Sequence, residues 1–195
     1  MRLRDWASDM QRVLLTNVVP TPWKNQRGLT QELLAWPEAR NWGIRLSVAT
    51  IDDGGEFSGF EGVTRWFTVI DGQGVELVVG GQQARVDTQS DPFCFDGAQP
   101  CRAQIIGGAV RALNVMFAPG VSGQVVRLQA GSRIPFGSSH FWGAYSIGRA
   151  SGHFGNEPLA LEPGELVWMA NAPSLQGSLT IQEGQCVMVT GKWAA

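Results

Sequence analysis

The stretch WGIRLSVATIDDGGEFSGFEGVTRWFTVIDGQGVEL, residues 42–77, decides the fold. Three runs, 42–51, 64–70 and 74–79, the last extending just past this stretch, are rich in β-branched and aromatic residues and bounded by Gly or Asp, the signature of strands. A glycine- and phenylalanine-rich loop, 54–62, separates the first two and holds Ser58 and Phe60. Side chains alternate between the faces of a strand. Arg65 therefore shares a face with Phe67 and Val69. Arg45 and Ser47 share a face opposite Ile44, Leu46 and Val48. Polar groups interleaved this closely with core residues predict a pocket.

Outward from this stretch the same character persists. Short strands are predicted at 12–19, 30–35, 83–86, 92–95, 101–106 and 110–117. In the second half they are predicted at 122–129, 142–147, 158–161, 165–169, 178–182 and 186–190. A short helix at 30–35 suits Leu33 and Leu34 equally well. No amphipathic helix of three turns emerges, and Gly 25 with Trp 8 suits an all-β protein with many turns and bulky core fillers. Residues 92–97 are weakly similar to 164–169, and 105–116 to 181–190, which suggests two lobes of related topology. The expected division is 1–118 for a first lobe with the pocket and 119–195 for a second, degenerate lobe.

Composition excludes several function classes. With a net charge of −2 and no basic patch, phosphate-driven nucleic-acid binding is not expected. No apolar run reaches the ~18 residues that span a bilayer, and the first fifteen residues lack the pattern of a signal peptide. The expected location is cytoplasmic, with no membrane partner. Cys94, Cys101 and Cys186 form no Cys-x-x-Cys and read as free thiols. A homodimer is compatible with the sequence.

Four motifs carry a family resemblance. ProTrpLysAsn (22–25) with Gly28, Thr30 and Glu32 resembles PWKNGxGxTxE. Trp42 with 45–49 resembles a WRxSxA strand. PheSerGlyPheGluGlyValThrArg (57–65), running on to Asp71-Gly72, resembles FSxFPGxxR…xG. LeuAsnValMet (113–116) resembles DFNVM. In order and spacing they resemble the HutD/Ves family of the cupin superfamily. Departures are Gln26 for the glycine after PWKN, Glu61 for the proline of FPG, Ala112 for the aspartate of DFNVM, and Phe117-Ala118-Pro119 after Met116. The resemblance implies an all-β, bicupin-like fold of two jelly-roll lobes in one compact unit. It also implies a small-molecule-binding role tied to control of histidine utilisation, with urocanate or a formylated glutamate as ligand.

Many cupins hold a metal through about three His and one Glu. This chain has two histidines, His140 and His153, both in the second half. No metal and no cofactor are therefore expected. The residues the motifs place around the pocket are Lys24, Asn25, Arg45, Ser47, Ser58, Phe60, Arg65 and Asn114. Arg65 on an apolar face needs a partner or a ligand. It either clamps a carboxylate or forms a salt bridge to Glu56, Glu61 or Asp71. Arg45 and Ser47 either face solvent or line a cavity. Lys24 is one of two lysines, beside Trp23. Asn114 is a buried amide, and Phe60 is a flat wall or a plug. The expectation is a non-enzymatic small-carboxylate-binding protein acting as a metabolic sensor. The alternative is a metal-free cupin enzyme, an isomerase or epimerase using His140 with Tyr145. A purely structural module would bind no ligand.

Overall fold

Strand propensity, period-2 alternation and closely spaced turn residues leave the chain one way to bury its apolar faces, as sheets packed on sheets. A computed structural model describes residues 10–23, 26–170 and 177–194. Apart from one 3-10 turn at Leu15–Asn17, every helix or strand among them is a strand. The strands are β1 (Gln11–Leu14), β2 (Thr21–Pro22), β3 (Gly28–Glu38), β4 (Asn41–Ile51), β5 (Gly55–Glu56), β6 (Thr64–Asp71), β7 (Val75–Val79), β8 (Gln82–Val86), β9 (Phe93–Asp96), β10 (Cys101–Ile105) and β11 (Val110–Phe117). Then follow β12 (Val121–Gln129), β13 (Arg133–Pro135), β14 (Phe141–Ser146), β15 (Ala150–Phe154), β16 (Glu157–Leu161), β17 (Glu165–Ala170), β18 (Ser178–Glu183) and β19 (Gln185–Trp193). No helix among the described residues is long and apolar enough to cross a membrane.

The chain divides into two units, one spanning Val18–Val121 and the other joining the N-terminal strand to the segment from Ser122 onward. The first unit pairs a six-stranded sheet, β2-β3-β4-β11-β6-β9, with a four-stranded one, β5-β10-β7-β8. Its core includes Phe67, Val69, Val75, Leu77 and Ala103, all at most 1% exposed. The second unit pairs β1-β17-β14-β19-β12 with β13-β18-β15-β16. Its interior holds aromatic rings: the Phe136 and Phe154 centroids are 4.2 Å apart, and those of Trp142 and Phe154 are 4.4 Å apart.

The two units repeat one topology. Adding eight to each strand number turns β4-β11-β6-β9 into β12-β19-β14-β17, and β5-β10-β7-β8 into β13-β18-β15-β16. The weak internal similarity links corresponding strands, β9 with β17, and β10–β11 with β18–β19. Both halves are thus the eight-stranded, two-sheet arrangement of a jelly roll.

Some features differ from the sequence reading, and one choice it left open is settled. The first strand is only Gln11–Leu14, and it pairs antiparallel with β17, Leu14 opposite Glu165. The N-terminal strand therefore belongs with the second unit, not with the lobe expected at 1–118. Residues 30–35 are strand as expected, within a longer β3, and the short helix also considered there does not form, because β4 offers a ladder from Gly28 to Glu38. The strand β15 was not foreseen, because Gly152 at its centre weakens any strand signal. A Cβ there would collide with the carbonyl oxygen of Thr180, at a bulge in the β15–β18 pairing.

Candidate functional site

Register builds the site. Across the six-stranded sheet, Arg45 on β4 lies opposite Met116 on β11, which lies opposite Arg65 on β6, which lies opposite Phe95 on β9. One step along the same face, Ser47, Asn114, Phe67 and Phe93 form a second row. Ala49 and Ala112 face each other in a third. Small side chains there and long ones in the first row leave a cavity of about 430 Å³ inside the first unit. That volume lies within the range of small-molecule sites.

The cavity brings together Arg45, Ser47, Ser58, Phe60, Arg65 and Asn114. Six of the eight residues singled out from sequence thus line one space. The other two, Lys24 and Asn25, lie outside the described residues. Trp23, Thr30, Glu56, Phe57 and Met116 also line it and were not foreseen as site residues. Trp23 Nε1 donates to Thr30 Oγ1 at 2.7 Å, and its ring meets Phe57 edge-on at 6.3 Å. The aromatic signal was legible in the motifs; which rings face inward depends on the loop path.

Arg65 is 5% exposed and no carboxylate pairs with it among the described residues. The salt bridge to Glu56, Glu61 or Asp71 that sequence left open does not form. Neutral groups hold the guanidinium instead. Nη1 donates to the Ser58 carbonyl at 3.0 Å, and Nη2 makes a long contact of 3.4 Å with Asn114 Oδ1. The rings of Phe95, Phe60 and Phe57 surround its Cζ at 5.0, 5.4 and 5.6 Å, within cation–π range. Nε is buried and has no hydrogen-bond partner among the described residues. Burial lowers the Arg65 pKa to about 10, nearby Cys101 raising it and Arg45 lowering it further. At neutral pH the group remains a cation. The Cys101 thiol, pushed up to about 11 by burial, remains neutral there.

Arg45 is different. Its Nε donates to Glu32 Oε2 at 2.6 Å. The solvated sheet face considered for Arg45 and Ser47 is not what forms: Ser47 is 4% exposed and lines the cavity. Its hydroxyl makes no hydrogen bond to another described residue. Ser58 contributes its backbone carbonyl, and Phe60 stands over the guanidinium as a wall.

Two guanidiniums do not suit a divalent cation, which needs anionic or neutral donors converging on one point. No cluster of three His, Cys, Asp or Glu able to hold a metal occurs among the described residues. The His140–Tyr145 pair is also not assembled. His140 is exposed just before β14 and its Nδ1 accepts from the Trp193 N–H, whereas Tyr145 is 1% exposed near the far end of that strand. Five residues of strand separate them by roughly 16 Å.

The profile of the HutD family matches residues 16–188. The chain belongs to the HutD family. A Pseudomonas putida protein described as an uncharacterized 21.2 kDa protein in the hutC 3′ region is 36% identical over 114 residues, 57% of this chain and 60% of that protein. Protein Ves of Cronobacter sakazakii is 35% identical over 86 residues, 44% of this chain and 48% of that protein. The matched segments thus cover about half the length of these curated relatives. The solved structure of HutD from Pseudomonas fluorescens SBW25, determined in a formate condition, is 26% identical, with a TM-score of 0.82 over 95% of this chain and 100% of that one. Solved cupin-like proteins at 8–12% identity share the fold alone.

The HutD motif loop is clamped over the cavity by backbone bonds. Phe60 N donates to the Gly97 carbonyl at 2.8 Å, Gly97 N to the Val63 carbonyl at 2.7 Å, and Phe57 N to the Cys101 carbonyl at 2.8 Å. Gly97 permits this approach. A Cβ there would stand 2.8 Å from the carbonyl oxygens of both Phe60 and Val63, and 3.1 Å from Arg65 Cδ. Gly97→Ala is therefore expected to shift the loop and the guanidinium, costing about 1–3 kcal/mol of stability as overpacking does. Chemical denaturation checks the cost, and circular dichroism checks that the sheets persist. A variant as stable as the parent would show that the clamp has slack.

Proposed function

We propose that this HutD-family protein is a non-enzymatic receptor for a small carboxylate, a metabolic sensor tied to histidine utilisation. The observation that carries the proposal is the state of Arg65: a buried cation held by a carbonyl, an amide oxygen and three rings, with Nε unpartnered among the described residues. Neutral acceptors orient a guanidinium without cancelling its charge. The field in the cavity is therefore left for an anion, and a low-dielectric wall strengthens it. The Ser47 hydroxyl faces the same space, and Trp23, Phe57 and Phe60 offer flat apolar surfaces for a planar ligand.

Two findings about relatives agree with this reading. One relative is described by its position beside hutC, and the solved HutD was determined in a formate condition, formate being the smallest carboxylate. Urocanate and N-formylglutamate are the ligands to test. Isothermal titration of the purified chain should show one site for at least one of them, with the acid recovered unchanged after long incubation. Absence of heat with both acids would refute the reading. Steady loss of urocanate absorbance would replace the sensor by an enzyme.

A further inference from the structure

Among the described residues two guanidinium groups line the cavity, and of these two one is without a carboxylate partner and so left to take a ligand's charge. Arg65 is held by neutral acceptors. Arg45 is bound to Glu32 at 2.6 Å, with 22% and 41% of the two side chains exposed. Glu56, exposed at the mouth, brings a second carboxylate to the lining. Arg45 and Arg65 lie on strands two spacings apart, both opposite Met116, so their backbones are roughly 10 Å apart. A diacid with one carboxylate on Arg65 would direct the other toward Arg45. There it would have to displace Glu32, with Glu56 adding like-charge repulsion. A monoacid meets neither obstacle.

We propose that Glu32 sets the charge class of the ligand: by occupying Arg45 it confines the cavity to monocarboxylates, which of the two acids named above selects urocanate and rejects the diacid N-formylglutamate. The inference rests on the carboxylate reading above and narrows it. A bulge in β3 between Glu32 and Leu34 places Glu32 opposite Ser47, one row beyond Arg45. Glu32 is thereby a specificity-determining residue that acts through Arg45.

The test compares two acids of one planar six-carbon skeleton, sorbate and trans,trans-muconate, as competitors of urocanate in the full chain. Sorbate should displace urocanate at least ~10-fold more effectively than muconate, the scale of one lost charge-assisted contact. Glu32→Gln keeps a hydrogen-bond partner for Arg45 but removes the charge. It should shrink that ratio by ~10-fold or more, chiefly through tighter muconate. The double variant Glu32→Gln/Arg45→Gln should lose the gain. A generally loosened cavity would weaken both acids without moving their ratio. If urocanate binds but sorbate has no advantage over muconate, the inference is overturned and the carboxylate reading stands. It is likewise overturned if Glu32→Gln leaves the ratio unchanged, or if the double variant keeps the gain. If the diacid N-formylglutamate binds as tightly as urocanate, the inference is overturned and the carboxylate reading stands; if neither urocanate, N-formylglutamate nor either competitor binds, the carboxylate reading fails and the inference falls with it.

Discussion

Replacing Arg65 with methionine should abolish carboxylate binding while leaving the apo-protein folded and at least as stable as the parent. Two effects act in opposite directions. In the complex, charge-assisted hydrogen bonds from the guanidinium contribute about 1.5–3 kcal/mol each, so losing one or two weakens binding roughly 10- to 10,000-fold. In the empty protein, the same guanidinium is buried without a counter-ion among the described residues, and burying a cation is costly. Methionine fills similar space with no charge and fits beside Phe57, Phe60 and Phe95. Parent protein should gain thermal stability with urocanate, about 2.7 kcal/mol at a hundredfold excess over Kd. Arg65→Met should show no such gain, with an unchanged or higher starting Tm. If the variant binds like the parent, Arg65 is a structural cation and the reading of the cavity is wrong. If it unfolds, the guanidinium stabilises the empty fold and its free charge has been misjudged.

Phe67→Ala should be the most damaging single truncation beneath the cavity. Phe67 is 0% exposed, belongs to the first unit's core, and packs against Phe57 with ring centroids 5.7 Å apart. Removing a buried phenyl ring costs about 3–5 kcal/mol, transfer and cavity terms together. That is a large share of the ~5–15 kcal/mol that holds a domain folded. In urea the midpoint should fall by about 1 M or more with little change in slope, and Phe67→Leu should recover over half of the loss. A drop below about 1 kcal/mol would mean that the ring is not a core element of this unit.

The same residues show how far sequence carries. Alternation through 64–70 placed Arg65 among Phe67 and Val69, and the structure agrees, because a strand's period of two is fixed by backbone geometry. Alternation also grouped Arg45 with Ser47 but could not say whether their face met solvent or a cavity. That depended on cross-strand register, which sets Arg45 and Arg65 on either side of Met116. The Glu32–Arg45 pair was not legible, because a bulge in β3 decides where Glu32 falls. Nor was Arg65's set of neutral partners. The Ser58 carbonyl is a backbone atom whose position depends on the loop path, and Gly97 on another strand end fixes that path. Gly152 hid β15 for a related reason: a close approach of two backbones favours the residue that signals strand least.

A crystal structure of the protein with urocanate tests the central claim most directly. The carboxylate should lie within about 2.7–3.2 Å of the Arg65 guanidinium, with Nε now donating to it. The imidazole ring should lie against the aromatic wall formed by Trp23, Phe57 and Phe60. Urocanate bound elsewhere, or a cavity in which Nε of Arg65 still has no partner at saturating ligand, would contradict the account.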